Sequence, residues 1–336
     1  MKPKTLQQAV IHFSDINNCL DYMAHKRWPD GRVVCPTCGR DDVSFLAKQR
    51  KWQCKSAHTQ RQFSAKVGTI FEDSPIPLEK WLVVVWMLCN CKNGVSSYEV
   101  AKAIGVTQKS AWFMLHRIRV GLQTGSPEKM GGSGGPVEVD ETFIGGRLAN
   151  MHKSRKARMT VIRGQQLKGD HMNKTVVMGL LDRELREVRA KVVPNVRRDT
   201  LQNEILREVS HESTVYTDEW IGYNSLHKQF VHDVVNHVEC YVNGQVHTNG
   251  IENFWSLLKR TLKGTYVAVE PFHMQAYVDE QVFRFNNRAT KERKVTDSDR
   301  FNLAMSQIFN KARLLTLTAS ISPCRKSSTS ALPLQR

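Results

Sequence analysis

A mixed α/β domain preceded by a small metal-held unit and an all-helical unit is what this sequence predicts, and three observations predict it. Downstream of residue 136, β-like runs of Val, Thr and Tyr alternate with stretches of helical periodicity. Between residues 35 and 58, three cysteines and a histidine fall at the spacing of a metal knuckle. Between 77 and 122, apolar residues recur at helical spacing throughout. A Gly-rich break, MGGSGGP at 130–136, sets the main boundary. The units are therefore 5–70, an N-terminal helix with the knuckle; 77–122, helical; 123–136, a linker; 137–290, the α/β domain; and 291–336, a C-terminal helix and tail. The last stretch, SPCRKSSTSALPLQR at 322–336, has a disordered composition.

In the first unit, Cys35-Pro-Thr-Cys38 is followed by Cys54-Lys-Ser-Ala-His58. Two residues between the first thiolates let a tight turn wrap one Zn²⁺, and Gly39 supplies the backbone freedom that such turns use. The second knuckle completes a tetrahedral Cys₃His set, flanked by Trp52 and Phe63. A ribbon this small folds only around its metal, so the zinc is structural. Cys89 and Cys91 lack a partner pair and read as ordinary thiols.

The helical unit contains SSYEVAKAIGVTQKSAWFMLHRIR at 96–119. Ser96 or Ser97 caps a first helix, Gly105-Val106 makes the turn, and Thr107 caps a second helix whose Ala111, Met114, Leu115 and Ile118 face inward. This is a helix-turn-helix layout, with Gln108, Lys109, Ser110 and Trp112 placed to meet base edges and Arg117 and Arg119 as further basic contacts. A plain helical hairpin has the same periodicity.

The α/β unit reads as a strand at 137–144, a basic loop at 147–174, strands at 175–182 and 187–193, and a helix at 198–209. A strand at 214–218, a helix near 220–229, a strand near 233–242 and a helix at 249–263 follow. That order is of the ribonuclease H type, in which the first and fourth strands lie side by side at the centre of a mixed sheet.

The chain has 336 residues, with 49 Lys+Arg against 32 Asp+Glu, a formal charge of +17. Such an imbalance points to a polyanionic partner, with DNA or RNA ahead of an anionic membrane. The longest apolar run, Trp81–Cys89, is about half of what a bilayer span takes, and residues 1–20 lack the apolar core of a signal peptide, so a cytoplasmic protein is expected.

Three acidic residues stand out: Asp140 in VEVDETFIGG, Asp218 in VYTDEWIGYNSL and Glu252 in HTNGIENFWSLLKR. Two carboxylates from strands and one from a helix can hold two divalent ions over a phosphodiester, and Mg²⁺ leaves positions open for phosphate oxygens. Spacing alone does not choose Asp140 over Glu141. Asp218 can equally cap a helix beginning near Glu219, and Asn249-Gly-Ile-Glu252 fits a variant capping box. Lys259 shares a helix face with Glu252, where a DNA backbone would run. Trp255 suits a core position better than base stacking, and His247 suits either a loop contact or a phosphate. The 147–174 segment, with eight Lys/Arg against one acid, is a solvated loop or a phosphate track.

Taken in order, RWPDGRVVCPTCG, FSAKVGTIFEDSPIPLEKW, GVSSYEVAKAIGVTQKSAWFMLHRIR, VEVDETFIGG, TDEWIGY and HTNGIENFWSLLKR resemble the signature segments of bacterial insertion-sequence DDE transposases of the ISXO type, from about residue 13 to about 290. The resemblance implies a ribonuclease H-like catalytic domain. Asp140, Asp218 and Glu252 would bind two Mg²⁺ or Mn²⁺ ions, and Lys259 would be the basic residue following the triad. It further implies binding to terminal inverted repeats and target DNA, and a homo-oligomer bridging two ends. One departure is Cys54-x₃-His58, where the family has a closely spaced Cys pair. A regulator with an inactive α/β domain and a structure-selective nuclease are the competing classes.

Overall fold

The computed structural model describes residues 3–123, 128–132, 135–164, 174–218, 223, 230–235 and 247–321. Its α/β domain is a five-stranded sheet formed by β4 (Val137–Ile144), β5 (Thr175–Asp182), β6 (Glu187–Val193), β7 (Thr214–Asp218) and β8 (Val231–Val235). The N-terminal ribbon supplies β1 (Val43–Leu46), β2 (Lys51–Cys54) and β3 (Gln62–Phe63). The large sheet runs β6-β5-β4-β7-β8. Pairs β6–β5 and β5–β4 are antiparallel, whereas β4–β7 and β7–β8 are parallel. This is the ribonuclease H-like order, and the domain's first and fourth strands are neighbours, as expected.

Helix α7 (Arg198–Glu208) covers one face of the sheet through Leu201 and Ile205. Helices α8 (Asn249–Thr261) and α9 (Met274–Asn286) cover the other through Ile251, Phe254, Trp255, Leu258, Val278 and Val282. The edge strand β6 would offer unpaired backbone groups to another chain. Side-chain amides from α9 close it. Asn286 accepts from the Val188 N–H at 2.8 Å and donates to the Val188 carbonyl at 2.9 Å. Gln275 accepts from the Val192 N–H at 2.7 Å and donates to the Ala190 carbonyl at 3.2 Å.

The helical N-terminal half comprises α1 (Leu6–Phe13), α2 (Ile16–Arg27), α3 (Leu78–Asn90), α4 (Ser97–Ile104) and α5 (Gln108–Leu122). The C-terminal helix α10 (Asp297–Ile321) returns from the α/β half to complete this core, with Phe301, Met305 and Ile308 buried beside Trp86 and Leu122. Phe301 and Trp86 have ring centroids 5.1 Å apart. The helical half and the α/β domain are thus knitted together in space despite the glycine-rich break. Part of that break is itself pinned: Met130 donates to Glu208 O at 2.7 Å, and Gly132 donates to the Ser213 hydroxyl at 2.9 Å.

Two expectations need correction or restriction. The 147–174 segment is not a plain loop: Lys153–Arg163 forms helix α6, with His152 accepting from Ser154 N–H at its start. Lys, Arg, Ala and Met are good helix formers, so local propensity suffices without an apolar stripe. The helix expected near 220–229 falls, apart from Tyr223, outside the described residues, as do residues 236–242 of the strand expected near 233–242 and the 322–336 tail. No helix among the described residues is long and apolar enough to cross a membrane.

Candidate active site and metal centre

Strand β4 alternates between two environments. Val137 and Val139 pack toward α7. Glu138 and Asp140 face α8: a Glu138 oxygen accepts the Ile251 backbone N–H at 2.9 Å, and Asp140 Oδ2 accepts the Trp255 indole N–H at 2.9 Å. Glu141, one residue on, turns to the α7 face and receives the Tyr223 hydroxyl. The pleat separates two acids that spacing alone could not rank.

The partner of Asp140 across the parallel pair follows from register. Glu138 lies opposite Tyr216, and two residues further along the same direction come Asp140 and Asp218. Burial, and then the charge of Asp218, push the Asp140 carboxyl up to about 6; Glu252 adds to the same effect, while the Trp255 and Glu141 N–H groups oppose it. Burial also pushes Glu141 up to about 8, against the hydrogen bond from Tyr223. A carboxyl raised by neighbouring carboxylates marks a place where a cation would be stabilised. Among the described residues, the three acids do not gather their oxygens as tightly as the ribbon ligands described below.

Helix α8 presents the third acid because its apolar positions, Ile251, Phe254, Trp255 and Leu258, all face the sheet. Glu252, Ser256 and Lys259 are exposed along the opposite side, so Lys259 follows Glu252 down one open stripe. The capping box expected at Asn249 is not what starts this helix. The N-cap is Thr248, whose hydroxyl donates to Glu252 Oε1 at 3.2 Å. The orphan N–H of Ile251 is satisfied instead by Glu138, which is 1% exposed. Arg183 completes the clamp: Nε donates to Glu138 Oε1 at 2.6 Å and Nη2 to the His247 carbonyl at 2.6 Å. Gly250 leaves room for this approach, since a Cβ would meet Glu138 Oε2 at 2.8 Å and displace the carboxylate. His247 is therefore part of this clamp. Sequence reasoning missed Glu138 and Arg183; the one available signal was Glu138 two residues before Asp140, on the same face.

In the ribbon, Cys35, Cys38, Cys54 and His58 bring one ligand atom each within 4.8 Å of one another. Cys35 Sγ lies 3.5 Å from His58 Nε2, and Cys38 Sγ lies 3.6 Å from Cys54 Sγ. Tetrahedral zinc with Zn–S bonds of about 2.3 Å needs sulfurs roughly 3.8 Å apart, so the set fits Zn²⁺. The Arg40 backbone N–H holds the exposed Cys38 thiol below its ordinary value, which favours a thiolate ligand. Gly39 has φ +74°, and Trp52 stacks on Phe63 beneath the knuckle. Purified protein should carry about one zinc per chain, and Cys38→Ser should lose it together with the ribbon's protease resistance. Full zinc content in Cys54→Ser/His58→Ala would sink the assignment.

The helix-turn-helix positions divide. Ser96 forms a capping box with Glu99, Gly105 takes φ +62°, and Thr107 caps α5. Lys109 is exposed, while Gln108 is half-buried and donates to Ser97 Oγ at 2.8 Å. Ser110 bonds back to Thr107, and Trp112 lies against His116 and His273. Arg117 donates to the Glu72 carbonyl at 2.9 Å. Arg119, expected to meet DNA, is 1% exposed and bonded to Glu280 of α9 at 2.6 Å, so it has no surface to offer in this fold. Its partner lies 161 residues away, out of reach of any local reading.

Known proteins resemble this chain over much of its length. Residues 133–286 match the ISXO2-like transposase domain, and residues 15–60 match the transposase zinc-ribbon domain. A protein in the transposable element ISH50 of Halobacterium salinarum is 29% identical over 250 residues, covering 71% of this chain and 81% of that protein. A transposase-like protein of Haemophilus influenzae is 37% identical over 101 residues, 30% of this chain and 81% of its own. The cryoEM structure of a simian T-cell lymphotropic virus intasome with PP2A regulatory subunit B56 gamma aligns over 75% of this chain and 80% of that chain. Identity there is 13% and the TM-score 0.29, too low to add to the topology. Two domain models of one family, met in order and together matching more than half of the residues, make this chain a member of the ISXO2-like transposase family.

Proposed function

We propose that this transposase binds the inverted ends of its own insertion sequence, cuts there, and joins the freed 3′-OH to target DNA. What supports the reading is the register that sets Asp140 beside Asp218 on the parallel β4–β7 pair, together with the charges of Asp218 and Glu252 that both act on Asp140. Asp140, Asp218 and Glu252 would hold two Mg²⁺ or Mn²⁺ ions. Held there, such ions would supply activation of the attacking oxygen and charge stabilisation for the leaving one.

The chain's own groups supply the rest. Asp140 is held by N–H donors on both oxygens, from Glu141 at 2.8 Å and from Trp255 at 2.9 Å, which fixes its plane before any ion arrives. Exposed Lys259 and Arg260 continue the α8 stripe as point charges for the DNA backbone. Helix α6 offers Lys153, Lys156 and Arg158, while Arg155 pairs with Glu270 at 3.0 Å. Two ends must be cut together, so a homo-oligomer assembled on DNA belongs to the reading.

The test is a Mg²⁺- or Mn²⁺-dependent cleavage assay on a labelled element end, beside a binding assay with the same preparation. Binding without any cleavage would favour a DNA-binding regulator, and cleavage without end preference would favour a nuclease.

For recognition, Lys109 at the open start of α5 is the position expected to touch the ends. Gln108→Ala/Lys109→Ala should weaken binding to end DNA about tenfold and flatten its salt dependence by about one unit of log–log slope per lost phosphate contact. Titration against end and random DNA separates phosphate contact, which weakens both, from base reading, which weakens the end alone. Unchanged binding to both would move the contact to the ribbon or α6.

A further inference from the structure

We infer that Gly179 and Trp255 form a notch and plug that position Asp140 and Glu252 for their shared divalent cation; the inference rests on the proposed function and names residues that the carboxylate triad does not include. Strand β5 reads TVVMGLLD, and glycine in the middle of a buried strand costs roughly 0.5–1 kcal/mol against alanine. Backbone conformation does not require it, since Gly179 is not among the positive-φ glycines. Space does. A Cβ on Gly179 would lie 2.7 Å from Trp255 Cη2 and Cζ2 and 2.9 Å from Ile251 Cδ1.

Gly179 is the register partner of Asp140 on the adjacent strand. The Trp255 ring, 4% exposed, therefore enters where a β5 side chain would stand, and its indole N–H reaches Asp140 Oδ2 at 2.9 Å. Trp255 follows Glu252 by three residues on α8, so one turn of helix carries both the third acid and the group that pins the first. The depth of the notch sets how closely α8 seats on β5, and with it the separation of Glu252 from Asp140. A buried Trp needs some acceptor for its N–H. Here that acceptor is a carboxylate proposed to bind the cation, and partners of this kind orient a ligand and tune its affinity.

Three variants of the zinc-loaded full chain separate cation positioning from simple packing. The readouts are Mn²⁺ affinity by calorimetry, Tb³⁺ luminescence sensitised by tryptophan, and thermal unfolding without added cation. Trp255→Phe keeps an aromatic ring and loses the N–H; Mn²⁺ affinity should fall on the order of tenfold, and sensitised emission from Tb³⁺ should drop. Gly179→Ala should lower both cation affinity and the unfolding temperature, because its methyl group meets the indole. Gly179→Ala/Trp255→Phe removes the indole atoms that clash, so it should recover the unfolding temperature relative to Gly179→Ala while cation affinity stays low. A role in packing alone predicts wild-type Mn²⁺ affinity in Trp255→Phe, and that result overturns the inference. Wild-type Mn²⁺ affinity in Asp140→Asn would be a different failure, since it removes the cation from Asp140 and takes the proposed chemistry with it.

Discussion

Asp140→Asn, Asp218→Asn and Glu252→Gln should each lose strand cleavage and strand transfer by about a thousandfold or more while keeping DNA binding. An amide fills the same volume as a carboxylate but does not neutralise a divalent ion. The several kcal/mol of transition-state charge stabilisation supplied through that ion then disappear from the chemical step, and each 1.4 kcal/mol is tenfold in rate. Folding should move the other way. The Asp140 carboxyl sits at about 6 in the folded protein against an ordinary 3.8. The folded state therefore binds the extra proton between those values, and stability falls as pH rises from about 4 through about 6. At pH 7 without cation, Asp140→Asn removes that penalty but turns its NH2 toward one of the two N–H donors, so its net gain over wild type in urea unfolding should stay below about 3 kcal/mol. At pH 3.5, where both states are largely protonated at this position, the gain should vanish. Lys259→Ala should only reduce the rate, since it removes a point charge from the phosphate track and no proposed ligand. Wild-type cleavage by Glu252→Gln would assign Glu252 to the Thr248 contact alone.

Several strands were legible to the residue because period-2 alternation ends where a turn begins: 137–144, 175–182, 187–193 and 214–218 all recur in the structure. The ribbon ligands were legible because a metal fixes ligand spacing in the sequence itself. Ranking Asp140 against Glu141 was not, because adjacent strand residues face opposite sides and only the packing of α8 shows that Asp140 meets Trp255 while Glu141 meets Tyr223. The clamping role of Glu138 was missed for a related reason. An acid within a strand reads as a solvated edge, yet β4 is the central strand of five and Glu138 is buried under the N-terminus of α8. Helix α6 escaped because KSRKARMTVIR has little apolar face to give a periodic signal. Arg119 misled because an arginine near a recognition helix in a basic chain resembles a DNA contact until a distant Glu280 is seen to hold it.

That buried partner should also be the largest single contributor to joining the two halves of the molecule. Glu280 is fully buried on α9 and accepts from Arg119 of α5 at 2.6 Å, from Arg284 on its own helix, and from the Tyr266 hydroxyl. Burial alone would raise its carboxyl, but the Arg284 and Arg119 charges outweigh this and hold it at about 2. The Arg119 guanidinium also lies 3.9 Å from the Tyr277 ring centroid, a further favourable contact for a desolvated cation. Glu280→Gln would leave two guanidinium groups buried with no counter-charge, and breaking a buried pair in this way typically costs about 3–5 kcal/mol. Urea unfolding of wild type should be a single transition, because α5, α9 and α10 share contacts across the halves. In Glu280→Gln the helical half, followed by the buried Trp81 and Trp86, should lose structure at a lower urea concentration than the sheet. The sign of the depressed pKa gives an independent check. Wild-type stability from this group is fully present above about pH 4.5 and is lost as pH falls toward 2, so the difference between wild type and Glu280→Gln should shrink on acidification. Replacing all three charges at once, as Arg119→Met/Glu280→Leu/Arg284→Met, should recover most of the lost stability, because no uncompensated ion remains in the interior. A Glu280→Gln protein within 1 kcal/mol of wild type would mean that water reaches these arginines and that apolar packing alone seats the helix-turn-helix unit on the catalytic domain.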